Sequence, residues 1–206
     1  MNRRPLPRVH AITDAAVLAQ ADLGVRAAAI AAGGPAVALH ARDRSAAARR
    51  LAEVAARFVA LARPPEAAVF VSGRPDIAAA VGAQGVQLAD LDLAPRDARR
   101  LLPSGWIGRS VHDLGAAESA CADGADYLLA GPVYATATHP DRAPAGLGLV
   151  RDCARLGPPV VAIGGITPER APEVREAGAW GVAAIRALWY AGDPAQAVLR
   201  LLAPWE

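Results

Sequence analysis

The 206-residue chain contains no lysine: all 22 of its Lys-plus-Arg positions are arginine. Without a primary side-chain amine no Schiff base can form, which excludes lysine-dependent aldolase chemistry and pyridoxal-phosphate catalysis. Cysteine is scarce too. Cys121 and Cys153 have no CxxC spacing and no histidine pair nearby, so neither a zinc site nor a disulfide framework is expected. Charge of one sign is also lacking, and a formal net charge of +2 gives no case for a nucleic-acid or membrane partner. No uninterrupted apolar run reaches the roughly 18 residues of a membrane span. The opening MNRRPLPRVH has no apolar signal core, so a soluble, cytoplasmic chain is expected. With 53% hydrophobic and 20% charged residues, what remains is the composition of an ordinary globular domain.

Eight short apolar, β-rich runs punctuate the chain: Val9–Thr13, Ala36–His40, Ala68–Val71, Gly85–Leu88, Trp106–Val111, Tyr127–Tyr134, Val160–Ile163 and Gly181–Ile185. Between them lie Ala/Leu/Arg/Glu stretches of helical period. In Ser45–Leu61, for example, Leu51, Val54, Ala55, Phe58 and Leu61 recur at three- and four-residue steps. That alternation predicts parallel strands with crossover helices. Gly82, Gly124 and Gly178 each precede a strand and read as helix C-caps. Their spacing of 42 and 54 residues is about two βα units each time, or eight units over the chain. The expected architecture is an α/β (β/α)8 TIM barrel forming one domain over residues 1–206, with a doubly wound open sheet as the competitor.

In such a barrel the active site lies at the C-terminal strand ends. Polar residues gather there: Thr13, Asp14, His40, Arg42, Ser72, Gln87, Ser110, His112, the segment 136–139, Gly164, Gly165 and Arg186. In Val160–Arg170 a buried strand leads through Gly164-Gly165 to Thr167 as an N-cap and Pro168 in the first turn. Paired glycines leave amides free for an anion, and the seventh and eighth strand loops of barrels commonly bind phosphate. A tight turn without ligand is the plainer alternative. The long segment Gly131–Gly148, carrying Thr136, Thr138 and His139, is expected to close over a ligand. Trp180, Trp189, Tyr190 and Trp205 either anchor a homodimer contact or pack the core.

Taken in order, VHAITD (9–14), LHARDRS (39–45), VSGRPDIA (71–78), GVQL (85–88), IGRSVH (107–112), ADYLLAGPVYATATH (125–139), AIGGITPER (162–170) and GVAAIRAL (181–188) resemble the thiamine-phosphate synthase and TenI superfamily. The resemblance implies a TIM barrel of thiamine biosynthesis acting on a phosphorylated thiazole. Two activities divide that superfamily. Synthases join a pyrimidine methyl pyrophosphate to thiazole phosphate with Mg²⁺, whereas TenI-type tautomerases aromatise a thiazole carboxylate phosphate by a proton shift.

The resemblance implies two acidic magnesium ligands in a synthase. Here Ser72-Gly73-Arg74 stands where its pattern has Asn-Asp-Arg, leaving Asp92 at the second acidic position. The synthase lysine after strand six aligns with His139, and that after strand two with Arg44. The runs at His40–Ser45 and Ile107–His112 look TenI-like, although Pro132 occupies the position of the TenI histidine. The expectation drawn is a tautomerase needing no cofactor, with His139 and then His40 as acid/base. Arg42, Arg44 and Arg186, with Ser72, Ser110, Thr136 and Thr138, bind substrate. Gly164, Gly165 and the backbone near Ile185 hold its phosphate. A Mg²⁺-dependent synthase using Asp92 and a non-catalytic phosphothiazole-binding protein are the two alternatives.

Overall fold

A computed structural model of the chain describes residues 5–63, 66–136 and 143–206. Eight strands, β1 (Val9–Ile12), β2 (Val37–Ala41), β3 (Ala68–Ser72), β4 (Gly85–Leu88), β5 (Trp106–Val111), β6 (Tyr127–Ala130), β7 (Val160–Ile163) and β8 (Gly181–Ala184), pair in parallel in chain order. β8 closes on β1 through Val9↔Val182, His10↔Ala183 and Ala11↔Ala184. The expected barrel, rather than an open sheet, is thus the architecture. The strands are buried along nearly their whole length because helices cover the outside and side chains fill the inside. Among the described residues no helix is long and apolar enough to cross a membrane.

Helix Ala48–Ala62 turns Leu51, Val54, Ala55 and Phe58 to the strands, as its periodicity predicts, with Ala62 buried beside them and Leu61 only partly so, and Phe58 stacks on the buried Trp189. It begins three residues later than expected because Ser45 is taken by Asp43 Oδ1, which accepts from both its N–H and its hydroxyl. β6 stops at Ala130 rather than Tyr134, since Pro132 has no N–H for the ladder. The chain then turns, Val133 and Tyr134 donating to the carbonyls of Ile163 and Gly164. Thr167 does not cap a helix. Residues 167–170 form a single turn, and the helix starts at Ala171.

Inward-facing Ile12, Ala38, Phe70, Tyr127, Leu129, Val161 and Ala183 fill the barrel, together with His10 and His40. The two large rings fit because glycine lies opposite each. A Cβ at Gly85 would collide with the Phe70 ring, and one at Gly108 with Tyr127 Cζ and Gln87 Oε1. Trp180 lies under the Arg8 guanidinium, 3.5 Å away, and Trp205 Nε1 donates to the Ala179 carbonyl, so both pack the barrel's N-terminal end.

Candidate active site

His10 and His40 are fully buried and hydrogen-bonded, His10 Nδ1 to His40 Nε2 at 2.8 Å. His10 Nε2 lies 3.0 Å from the Pro7 carbonyl, which can only accept, so that nitrogen carries the proton. Burial pushes the His10 pKa down to about 4, so the ring is neutral at pH 7 and its Nδ1 must accept from His40 Nε2–H. The pair therefore has one allowed protonation pattern, leaving His40 Nδ1 without a proton and without a partner among the described residues. Burial first, then His10 and Arg42, holds His40 well below the ordinary imidazole range. It stacks on Phe70 with centroids 4.9 Å apart. This is a core histidine, not a group exchanging protons with a ligand at the rim.

At the rim, Thr13 fastens the end of β2. Its hydroxyl lies 3.0 and 2.9 Å from the carbonyls of His40 and Arg42 and accepts from the Arg42 N–H at 2.9 Å. Arg42, half-buried, and Arg44, exposed, follow at the strand end. Burial and then the charge of Arg44 hold the Arg42 guanidinium below its usual pKa. Neither guanidinium bonds a described residue, and Asp14 and Asp43 offset the Arg42 charge only in part, so an anion is a fitting further counterpart.

After β3, Gly73 takes φ +72, and a Cβ there would come within 3.1–3.3 Å of the Asp92 carboxyl group. Asp92 Oδ2 accepts the Ala89 N–H at 2.7 Å, closing a turn within the loop after β4, while the Gly73 N–H donates to the Gln87 carbonyl at 2.8 Å and ties the end of β3 to β4. The Ser72 hydroxyl is buried without a partner among the described residues. Ser110, half-buried on β5, accepts from Gln87 Nε2 at 3.0 Å. His112 donates Nδ1–H to the Gly131 carbonyl, with Nε2 3.8 Å from Asp90.

Gly164 (φ +100) and Gly165 (φ +63) sit at the end of β7, where the loop after β6 presses on them. A Cβ on Gly164 would lie 2.6 Å from Pro132 Cα and one on Gly165 2.7 Å from the Ala135 carbonyl. Neither glycine amide donates among the described loop hydrogen bonds, so both are free for a ligand. Ile185 and the exposed Arg186 follow β8, and Thr136 ends the described part of the β6 loop. Thr138 and His139 lie outside the described residues. The mouth thus gathers Arg42, Arg44, Ser72, Asp92, Ser110, Thr136, Gly164, Gly165, Ile185 and Arg186 at strand ends, while His40 sits below them in the core.

The family described as thiamine monophosphate synthase (TMP-TENI) matches residues 9–188. The chain belongs to this family. It is 47% identical over 150 residues to the thiamine-phosphate synthase of Synechococcus sp. strain WH7803, a match covering 72% of this chain and 42% of that longer protein. To a thiamine-phosphate synthase of Thermus thermophilus it is 43% identical over 175 residues, 84% of each chain. The structure called thiamine phosphate pyrophosphorylase from Pyrococcus furiosus superposes with a TM-score of 0.81 at 34% identity, covering 96% of this chain and 94% of that one.

These relatives overturn the expected tautomerase, for at 43–47% identity they carry the synthase name. The residues explain why that expectation failed. Pro132 is buried and supplies only a carbonyl, to Ala145 N–H, and His40 is sealed in the core. In the TenI-like runs His40 packs inside the barrel, and Ile107–His112 forms β5 and its end.

Proposed function

We propose that the chain acts as a thiamine-phosphate synthase, a transferase joining a pyrimidine methyl pyrophosphate to thiazole phosphate. The observation that carries this reading is a mouth with separate holders for two anions. On one side are the free amides of Gly164 and Gly165, suited to a phosphate ester. Around β2 to β5 are Arg42, Arg44, Asp92 and Ser110, suited to a more highly charged group. In the reaction the C–O bond to pyrophosphate breaks and the thiazole nitrogen lone pair forms the new C–N bond. No proton has to move, so a mouth without a histidine at position 132 is no defect for this chemistry. What the leaving group needs is charge compensation.

Magnesium typically takes one or two carboxylates, with waters and phosphate oxygens completing its shell. Asp92 fits as one such ligand, being anchored through Oδ2 by Ala89 while Oδ1 accepts no described hydrogen bond. Among the described residues no three His, Cys, Asp or Glu side chains gather as a metal group, so pyrophosphate itself would complete the shell. Bound there, Mg²⁺ would supply neutralisation of the departing pyrophosphate. Arg42 and Arg44 add charge on the β2 side, and Ser110 orients an oxygen from β5.

Incubation with both substrates should release pyrophosphate and thiamine phosphate in equal amounts, with a requirement for Mg²⁺. Tight binding of thiazole phosphate without product would overturn the reading in favour of a binding protein.

A further inference from the structure

Gln87, on β4, lies beneath the mouth, 5% exposed. Its amide orientation is fixed by chemistry: Nε2 lies 3.3 Å from the Leu88 carbonyl and 3.0 Å from Ser110 Oγ. Flipping the amide would set two carbonyl oxygens against each other, so the NH2 group faces both partners and spends both protons on them. Ser110 Oγ is consequently an acceptor toward the core, and its own proton has no acceptor among the described residues. The hydroxyl is half-buried at the strand end, so that proton is directed to the mouth. The remaining amide atom, Oε1, lies with the Tyr127 ring over Gly108, where a side chain would collide with both. The Gln87 carbonyl also accepts the Gly73 N–H at 2.8 Å, so the strand is held where the amide acts.

We propose that Gln87 is a positioning residue that holds the Ser110 oxygen from the core side and so turns its proton toward an anionic oxygen, the pyrophosphate of the proposed reaction. The inference rests on the synthase reading. A serine hydroxyl has one proton and two lone pairs; with one lone pair taken by the Gln87 amide and no described acceptor for the proton, an anionic oxygen in the mouth is the partner that proton suits. Gln87 touches no substrate and acts only through Ser110.

The test is calorimetric titration of inorganic pyrophosphate at fixed Mg²⁺ into the wild type, Gln87→Met, Gln87→Glu, Ser110→Ala and the Gln87→Met/Ser110→Ala double variant. Ser110→Ala should weaken binding about tenfold, the value of one hydrogen bond to a charged group. Gln87→Met, close in volume, should cost a few-fold in the wild type and less than twofold in the Ser110→Ala background. Gln87→Glu should bind worst near neutral pH, because an ionised carboxylate captures the Ser110 proton, and should recover relative to wild type as pH falls. Wild-type binding with all Gln87 variants within twofold overturns the inference alone, as does a Gln87→Met loss that persists undiminished without Ser110. A folded wild type that binds no pyrophosphate overturns the synthase reading as well.

Discussion

Gly164→Ala tests how the loops after β6 and β7 are locked together, with Gly157→Ala as its control. Both glycines have nearly the same φ, +100 and +104, but a Cβ at Gly157 meets nothing within 4 Å while one at Gly164 lies 2.6 Å from Pro132. The conformational cost is therefore shared, at about 1–2 kcal/mol for an L residue in a left-handed conformation. The overlap at Gly164 adds about 1–3 kcal/mol, the range for overpacking. For a chain of this size each kcal/mol moves Tm by about 2–4 °C, so Gly157→Ala should lower Tm by about 2–8 °C and Gly164→Ala by about 4–20 °C. Scanning calorimetry of both variants, followed by titration of thiazole phosphate, gives the comparison. Gly164→Ala should also lose phosphate affinity, and Gly157→Ala should keep it. Equal melting temperatures and unchanged affinity in both variants would refute the close approach and the cradle together.

Asp92→Asn keeps an acceptor for Ala89 N–H but loses the charge, so Mg²⁺-dependent turnover should fall about 10²–10³-fold with an unchanged circular dichroism spectrum, as for loss of one electrostatic group in a site. Arg42→Gln should raise KM for the pyrophosphate substrate about 10–100-fold, the worth of a charge-assisted bond, and steady-state kinetics reads it directly. Acid stability follows from the buried pair. His10 falls to about 4 when folded against about 6.5 unfolded, so the unfolded chain binds more protons between those values and stability drops as pH falls through that window, by about 3 kcal/mol in full. His40 adds in the same direction. Urea titrations of His10→Phe should show a shallower loss between pH 6 and 4 than wild type, and identical slopes would contradict the assignment of a neutral pair.

The barrel was legible because its signals are local. Gly82, Gly124 and Gly178 all take the positive φ expected before β4, β6 and β8, and the Leu51–Phe58 stripe faces inward as its period requires. The rim was legible as well, since polar residues interrupt apolar runs only where strands end. Depth was not. At the end of β2, His40 and Arg42 look alike as polar residues two apart, yet those two positions separate a sealed core imidazole from a half-buried cation just past the strand. Nothing in the local pattern tells that His10, 30 residues earlier, supplies the partner that makes a buried His40 tolerable. The activity was misread for a related reason. Gly73 looks like a lost metal ligand, but it takes a positive φ, and a Cβ there would come within 3.1–3.3 Å of the Asp92 carboxyl group, so glycine leaves room for the remaining carboxylate. Gln87 stood out as a polar strand-end residue, but its link to Ser110 depends on the β4–β5 register.

A crystal structure with thiamine phosphate and pyrophosphate bound tests most directly whether the two anion holders serve one reaction. Phosphate ester oxygens should receive the amides of Gly164 and Gly165, with pyrophosphate within hydrogen-bonding reach of Ser110 Oγ and the Arg42 guanidinium. Both ligands at the opposite end of the barrel, beside Arg8 and Trp180, or a phosphate ester held away from the glycine pair, would contradict it.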